Sequence, residues 1–195
     1  MPDAAAEHPV IFSAPMVRAL LAGEKSQTRR LARSPLARAV PGDRLWVREN
    51  CRAEELDDGR DGVRYAADGA WRPIENTPAA GEAWVALFHY RGRGTGRVGN
   101  PVPSIHMPRW ASRLALTVRR VRRQRLHDIT TGDASAEAPH HAFALPPYDD
   151  GSGIDPRLHV SAFAALWDRL HQGDVAWEAN PEVVALTFSV EVADA

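Results

Sequence analysis

The chain has 195 residues, of which 44% are hydrophobic and six are tryptophan, so it can bury a core without disulfides or metals. Its net charge of −1 excludes binding to nucleic acid through bulk positive charge, so any such affinity must come from a local patch. The single cysteine, Cys51, excludes an internal disulfide and a cysteine-based zinc cluster.

The first predicted elements lie within the first thirty residues. Residues 1–8 are predicted to form a flexible tail, and the apolar run Val10–Phe12 a strand. A helix with one apolar face is predicted to follow, because Ser13 is a good N-cap residue and Gly23 a good C-terminal stop. The polar residues 25–30 are then expected to be extended.

The central part of the chain combines clear and irregular segments. Strands are predicted at Arg44–Glu49, after the turn signal Pro41-Gly42-Asp43, and at Val63–Ala67. Residues 68–103 are rich in Gly, Pro and Arg and are predicted to form a long insertion, with a short strand at Trp84–Tyr90.

Regular patterns return in the C-terminal part. Alternating apolar residues predict a strand from Leu114 to about Arg125, followed by a short helix over 131–138. Residues 139–157 are predicted to be a second insertion, 159–171 an amphipathic helix, and Val183–Val192 the last strand. Strands interleaved with few helices favour an α+β fold, a mixed β-barrel with flanking helices, as a single domain over residues 9–195.

Lysine occurs once among the 24 basic residues, at Lys25, so the other 24 − 1 = 23 are arginines. Lysine can lose its proton when it is buried or crowded by cations, whereas arginine stays charged. Action as a base near neutral pH requires a pKa lower by about 3 units, which destabilises the charged form by about 4 kcal/mol. The alternative is that Lys25 lies at a surface turn and has no chemical role.

Strand geometry limits which neighbours Lys25 can meet. Alternation separates two sets of side chains on opposite faces of a regular strand: Lys25, Gln27 and Arg29 against Ser26, Thr28 and Arg30. Lys25 and Thr28 therefore converge only if the backbone turns just after Gly23.

A cluster of arginines lies in the C-terminal part of the strand predicted to begin at Leu114. Its members are predicted to contact the phosphates of RNA or of a nucleotide, with a solvated strand face and ion pairs as the alternative. The cluster comprises Arg119, Arg120, Arg122, Arg123 and Arg125, and the phosphate contacts are expected from the first four.

Three aromatic residues, Trp46, Tyr65 and Trp110, are candidates to stack on a base, although aromatic residues on strands are more often core. His106 is a candidate for a site wall or a hydrogen-bonded structural residue. The histidines lack metal-ligand spacing, and no phosphate-binding or dinucleotide-binding glycine loop occurs, so we expect no metal and no cofactor.

Several segments together resemble the ASCH-domain proteins of the PUA-like superfamily, in particular a bacterial and phage branch. The segments that carry the resemblance span most of the chain outside the predicted insertions and tails: Phe12–Val17, Leu20–Arg30, Pro41–Glu49, Pro103–Arg113, Phe163–Trp167 and Trp177–Pro181.

The resemblance implies a PUA-like mixed β-barrel with a cleft beside Gly23-Glu24-Lys25. Members of the family bind RNA, act as nucleases, or hydrolyse the N4-acyl group of acylated cytidine. In the hydrolase branch a lysine, a threonine three residues later and a glutamate carry catalysis. Lys25 and Thr28 match the first two positions, and Glu137 is our choice for the third.

We therefore expect a metal-independent amidohydrolase of a modified nucleoside. An RNA-binding module without catalysis and a metal-independent ribonuclease remain alternatives. Arg30 or Ser26 would stabilise the oxyanion. The residues expected to contact the substrate are Ser26, Arg30, Trp46, Tyr65, His106, Arg109 and Trp110.

The expected partners are a nucleoside or RNA. No stretch approaches the roughly 18 consecutive apolar residues of a membrane span, and the N-terminus lacks a signal-peptide pattern. We therefore expect no membrane partner and a cytoplasmic location, with the chain acting as a monomer or a weak homodimer.

Overall fold

A computed structural model describes residues 5–91, 99–137 and 156–193. Within these residues the protein is α+β, with a curled, mixed five-stranded half-barrel sheet, a small three-stranded sheet and four helices. The α+β class predicted from the sequence is confirmed.

The eight strands of the described residues are β1 (Glu7–Ile11), β2 (Gln27–Leu31), β3 (Arg44–Arg48), β4 (Cys51–Glu55), β5 (Asp61–Tyr65), β6 (Trp71–Pro73), β7 (Leu114–Arg125) and β8 (Glu182–Val192). The large sheet has the strand order β1-β3-β7-β8-β2, and the small sheet has the order β4-β5-β6. Strand β2 pairs antiparallel with β8, with Gln27 opposite Thr187 and Leu31 opposite Val183.

The four helices are α1 (Ala14–Leu21), α2 (Pro78–Phe88), α3 (Thr131–Glu137) and α4 (Pro156–Leu170). The predicted helices after Ser13, near residue 131 and near residue 159 are confirmed.

The strand predicted at Trp84–Tyr90 is wrong, because Trp84–Phe88 form the end of helix α2 and His89 is its C-cap. Thr77 caps the helix by accepting a hydrogen bond from the Ala80 backbone N–H at 3.2 Å, and Pro78 occupies the first turn. The predicted insertion at 68–103 thus contains β6 and α2.

Two further predicted segments have different outcomes. Strand β1 begins at Glu7, so the last two residues of the predicted tail at 1–8 belong to the sheet. The predicted insertion at 139–157 lies outside the described residues except for its last two, which begin α4.

The chain divides into two compact units. Unit 1 comprises the described residues of Met1–His8, Ala19–Leu45 and Leu116–Glu191. Unit 2 comprises those of Pro9–Arg18, Trp46–Ala115 and Val192–Ala195.

The core of unit 1 joins α3 and α4 to neighbouring strand and loop residues. Phe163 and Trp167, from the apolar face of α4, are 4% and 3% exposed, and they pack with Ala134 of α3 and Val183 of β8. Burial of such large side chains contributes about 1.5–3 kcal/mol each, so this cluster fixes α3 beside α4.

The core of unit 2 contains a buried ion pair beside an aromatic ring. Arg113 donates two hydrogen bonds to Glu49, at 2.8 and 2.9 Å, and two to Asp68, at 2.8 and 3.0 Å. Its guanidinium lies 4.1 Å from the centre of the Tyr65 ring. Burial raises the pKa of the neighbouring Cys51 thiol to about 12, which keeps the thiol protonated.

No helix of the described residues is both long enough and apolar enough to span a membrane.

The close approach of β5 to β6 generates a first prediction. A Cβ added at Gly62 would lie 2.3 Å from the Trp71 ring and 2.4 Å from the Arg72 carbonyl oxygen, whereas one added at Gly81 in α2 meets nothing within 4 Å. We expect Gly62→Ala to lower the free energy of unfolding by about 1–3 kcal/mol.

Gly81→Ala is the matched control and should raise the stability by about 0.5–1 kcal/mol, because alanine favours helix interiors. Urea unfolding of both variants measures the difference. Equal stability of the two variants would show that β5 does not approach β6 this closely.

Candidate active site

The end of α1 turns the chain so that Lys25 enters the interior of unit 1. Gly23 has a positive φ of 74°, the left-handed conformation typical of a helix C-terminus. The backbone N–H groups of Glu24 and Lys25 both bond the Ala19 carbonyl, at 2.9 and 3.2 Å. The chain turns just after Gly23, and the Lys25 side chain is 2% exposed.

The Lys25 ammonium group is surrounded by oxygen atoms. Nζ donates to the Gln27 carbonyl at 2.7 Å and to the backbone carbonyl of Glu137. It also lies 3.5 Å from Oε2 of the Glu137 carboxylate, whose side chain is 6% exposed. Lys25 and Glu137 are 112 positions apart in the chain and meet in a buried ion pair.

Burial and the neighbouring charges have opposing effects on the pKa of Lys25. Burial lowers the pKa of Lys25 from 10.5 to about 8, because a charge is costly where water is excluded. The Glu137 carboxylate opposes this effect, whereas the charges of Arg30 and Arg29 add to it. A measurable fraction of Lys25 is therefore neutral near physiological pH.

Helix α3 supplies two carboxylates to the same cluster. Asp133 and Glu137 are four residues apart, so they share one face of the helix. Arg29 of β2 bridges them, with Nη1 3.1 Å from Glu137 Oε1 and Nη2 2.9 Å from Asp133 Oδ2, an ion pair without hydrogen-bond alignment.

Two more side chains complete this buried network. Gln27 accepts a hydrogen bond from Arg29 at 2.6 Å and donates one to Asp133 Oδ1 at 3.1 Å. Arg122 of β7 donates to the same Asp133 oxygen at 2.6 Å. We call these residues the buried ionic network: Lys25, Gln27, Arg29, Arg122, Asp133 and Glu137.

Thr28 and Arg30 form a second group beside the network. Thr28 is 1% exposed, and its hydroxyl accepts a hydrogen bond from Arg30 Nη1 at 2.7 Å. The charge of Arg30 also lowers the pKa of Lys25, so the guanidinium that holds Thr28 is within electrostatic reach of the amine. The Ser26 side chain is exposed, and its backbone N–H bonds the Ala136 carbonyl at 3.1 Å.

The remaining predicted substrate contacts belong to unit 2. Trp46 is half-buried, and the guanidinium groups of Arg48 and Arg109 lie 5.2 and 5.9 Å from its ring centre. Trp110 is 40% exposed, and His106 lies against Tyr90, with ring centres 5.5 Å apart.

Tyr65 has a structural environment. Its side chain is 2% exposed, its hydroxyl donates to the Ala111 carbonyl at 2.9 Å, and Arg113 covers one ring face. The hydroxyl and one ring face of Tyr65, which would contact a base, are therefore already engaged within the protein.

The predicted arginine stripe of β7 does not form one surface. Arg122 belongs to the buried ionic network, whereas Arg123 is exposed and donates to the Ala37 carbonyl at 2.9 Å. Arg119 and Arg120 are exposed, and Arg119 donates to the Ser189 hydroxyl at 3.0 Å. The four residues therefore have different roles.

Sequence reasoning left Gln27, Arg29 and Asp133 out of the candidate site. Strand alternation places Gln27 and Arg29 on one face of β2, and a four-residue spacing places Asp133 on the Glu137 face of α3. Both signals were available, but only pairing across the fold shows that they meet.

The arrangement is suited to proton transfer. The two backbone carbonyls around Lys25 need two N–H donors, which a neutral amine retains. The third position on Nζ, toward the Glu137 carboxylate, can carry either the proton or the lone pair. Across the described part of the chain, no three His, Cys, Asp or Glu side chains are grouped so that they could hold a metal ion.

Comparison with known proteins found no matching family model, no matching curated protein and no matching solved structure.

The network predicts an acid-dependent loss of stability. Burial by itself would raise the pKa of Asp133, but hydrogen bonds from Arg122 and Gln27 and the charge of Arg29 lower it to about 2. A depressed pKa stabilises the fold above the unfolded value of about 4, and this contribution is lost as the pH falls toward 2. We expect Asp133→Asn to cost about 2 kcal/mol at neutral pH.

The difference in the free energy of unfolding between the Asp133→Asn variant and the unsubstituted chain should shrink as the pH falls from about 4 to about 2. Chemical denaturation across this range measures it. The control Asp58→Asn removes an exposed carboxylate that pairs with Arg60 and should leave stability unchanged. A pH-independent deficit for Asp133→Asn would contradict the ion-pair explanation.

Proposed function

We propose that this chain is an ASCH-type protein with a PUA-like fold that hydrolyses the N4-acyl amide of an acylated cytidine or a related modified nucleoside. The observation that carries the proposal is the buried Lys25–Glu137 pair, in which an amine with a lowered pKa lies 3.5 Å from a carboxylate. A buried amine with a lowered pKa beside a carboxylate is an arrangement typical of catalytic sites.

The first step generates the nucleophile. Neutral Lys25 takes the proton of a water molecule or of the Thr28 hydroxyl, and the resulting oxygen attacks the acyl carbonyl carbon. The carbonyl electron pair moves onto its oxygen, and the Arg30 guanidinium or the Ser26 hydroxyl stabilises that oxyanion. Arg30 donates to the Thr28 hydroxyl at 2.7 Å, so its charge lies beside the attacking oxygen when Thr28 is the nucleophile.

The second step breaks the C–N bond. The oxyanion collapses, and the departing cytosine nitrogen takes a proton from Glu137, which has received it from the Lys25 ammonium. The products are the free amine and the carboxylic acid. When Thr28 is the nucleophile, an acyl ester forms first and water then hydrolyses it.

The position of Glu137 beside Lys25 sets the order of the proton transfers. Glu137 accepts a hydrogen bond from Arg29 at 3.1 Å and lies 3.5 Å from the Lys25 amine. The reaction starts with Lys25 neutral, so Glu137 becomes an acid only after Lys25 has taken the proton of the nucleophile and passed it on. This order couples attack to departure of the amine.

The proposal predicts that Lys25→Arg and Glu137→Gln abolish amide hydrolysis. Arginine keeps a positive charge at position 25 but stays protonated, and glutamine cannot carry a proton to the leaving group. With N4-acetylcytidine as substrate, we expect kcat/KM to fall by about 10²–10⁴ in each variant. Release of cytidine, followed by chromatography, is the measurement.

Arg60→Ala is the control variant, because Arg60 lies in unit 2 and pairs with Asp58 at an exposed position. It should keep the activity of the unsubstituted chain. Urea unfolding of each variant separates loss of chemistry from loss of fold. Full activity in both Lys25→Arg and Glu137→Gln would remove these roles.

The pKa of Lys25 also predicts a pH profile. Because the neutral amine is the active form, kcat/KM should rise with pH and level off above about pH 8. Measurement between pH 6 and pH 10 with N4-acetylcytidine gives the profile. A rate that is independent of pH between about 7 and 9 would show that Lys25 is not the base.

A further inference from the structure

The two oxygens of the Glu137 carboxylate have different partners. Oε1 accepts a hydrogen bond from Arg29 Nη1 at 3.1 Å, whereas Oε2 lies 3.5 Å from the Lys25 amine. A carboxylate that is bound on both oxygens cannot rotate without losing one of these contacts. The proton exchange with Lys25 therefore belongs to Oε2, and the position of Oε2 depends on Arg29.

The guanidinium of Arg29 is held at its other end by Asp133. Arg29 Nη2 lies 2.9 Å from Asp133 Oδ2, and the Arg29 side chain is 0% exposed. Because a guanidinium is a rigid planar fork, an ion pair at Nη2 limits where Nη1 can lie. Nη1 also donates to the Gln27 side chain at 2.6 Å, so Arg29 has two fixed contacts besides Glu137.

Asp133 is itself fixed by contacts that do not involve Glu137. Its Oδ1 accepts hydrogen bonds from Arg122 at 2.6 Å and from Gln27 at 3.1 Å. Its backbone N–H donates to the Thr130 hydroxyl at 3.1 Å, and the Thr130 backbone N–H donates to Oδ2 at 3.4 Å, a reciprocal pair typical of helix N-termini. Asp133 is thus anchored near the beginning of α3, whose last residue is Glu137.

The protonation of Asp133 suits an anchor and not a proton carrier. A carboxylate with a pKa of about 2 stays ionised near neutral pH and neither gives nor takes a proton there. Its contact with Arg29 is the route by which it can affect Glu137. The alternative is that Asp133 stabilises α3 and has no effect on the chemistry of the site.

We propose that Asp133 is a positioning residue, which acts through Arg29 to keep Oε2 of Glu137 directed at the Lys25 amine, a role that rests on the proposed amide hydrolysis. With Asp133 in place, Arg29 divides its two Nη groups between two carboxylates on one helix face. Without the Asp133 carboxylate, both Nη groups can bind Glu137 in the bidentate geometry that a guanidinium and a carboxylate favour. This geometry draws Oε2 away from Lys25.

Asp133→Asn tests this role. Oδ1 accepts two hydrogen bonds, so the amide oxygen of asparagine takes its place and the amide nitrogen takes that of Oδ2. The amide nitrogen then faces the Nη2 donor of Arg29 and cannot accept from it. With N4-acetylcytidine we expect kcat to fall by about 10- to 100-fold, the order of the cost of misplacing a catalytic group by about 1 Å. KM should stay unchanged, since the lost interaction acts on the transition state.

Gly62→Ala is the matched control. It is expected to lower the stability to a similar extent, but it lies in β5 of unit 2 and outside the site. The rates of both variants are divided by the folded fraction, which circular dichroism measures. Gly62→Ala should keep the kcat of the unsubstituted chain. Equal kcat values per folded molecule in the two variants would overturn the proposal, because Asp133 would then have a structural role alone.

A double variant shows whether Asp133 acts through Arg29. In Arg29→Lys the positive charge remains, but a single ammonium group cannot bridge the two carboxylates as a planar fork does. We expect Arg29→Lys to reduce kcat as Asp133→Asn does, and Asp133→Asn/Arg29→Lys to lose no more than the more impaired single variant. Losses that multiply in the double variant would contradict the proposal, because the two residues would then act independently.

The single lysine permits a readout that does not depend on hydrolysis. Lys25 is the only lysine of the chain, so lysine labelled with carbon-13 at Cε gives one side-chain signal in the NMR spectrum. In Asp133→Asn this signal should shift, because the Glu137 carboxylate moves relative to the amine, whereas in Gly62→Ala it should stay in place. An unshifted signal in folded Asp133→Asn would overturn the positioning of Glu137 by Asp133.

The two readouts separate this inference from the proposed function. If the unsubstituted chain releases no cytidine, amide hydrolysis is rejected together with the catalytic part of the role of Asp133, and the Lys25 signal still decides whether Asp133 positions Glu137. If the unsubstituted chain is active and Asp133→Asn keeps its kcat, amide hydrolysis stands and the role of Asp133 is rejected.

Discussion

The interaction on which unit 1 depends is the pairing of two carboxylates on one short helix with cations from neighbouring strands. Asp133 and Glu137 project from the same face of α3, and Arg29 contacts both of them. Removing these charges from water costs several kcal/mol per ion, which pairing and hydrogen bonds must offset. The network therefore holds α3 against β2, and loss of Arg29 would remove a cation that both carboxylates share.

The same pairing sets the chemical character of Lys25. Burial favours the neutral amine, whereas the Glu137 carboxylate favours the ammonium, and the balance leaves the pKa at about 8. A lysine without the carboxylate would be a weaker proton acceptor, and one with Glu137 but in water would stay charged. The Lys25–Glu137 ion pair and the proposed role of Lys25 as a base therefore depend on the same geometry. Both need Lys25 to be buried with a carboxylate 3.5 Å away.

Local sequence signals predicted the elements whose patterns are complete within a few residues. The Gly23 stop of α1, the alternation in β7 and the apolar face of α4 were all readable. The apolar run near Trp84 was ambiguous between strand and helix, and the Thr77-Pro78 cap that decides it lies at the other end of α2. Strand β4 was missed because small Cys51 and Ala53 alternate with charged residues and give little hydrophobic signal.

The candidate site was less accessible because its residues come from distant parts of the chain. Lys25 stood out by composition, and alternation placed Gln27 and Arg29 on its face, but nothing local connects them to Asp133 more than a hundred positions away. Glu137 was chosen as a candidate site residue only because of a family resemblance. Contacts of this separation depend on how β2 and α3 pack, which a periodic pattern does not encode.

The use of lysine at one position and arginine at the others is consistent with the roles that these contacts require. Arg29 must stay charged to bridge two carboxylates, and Arg122 must stay charged to hold Asp133, which a guanidinium does at any physiological pH. At position 25 a guanidinium would preserve the pairing with Glu137 but could not give up its proton. The proposed proton transfer at Lys25 needs the amine, because lysine, unlike arginine, can exist in the neutral form.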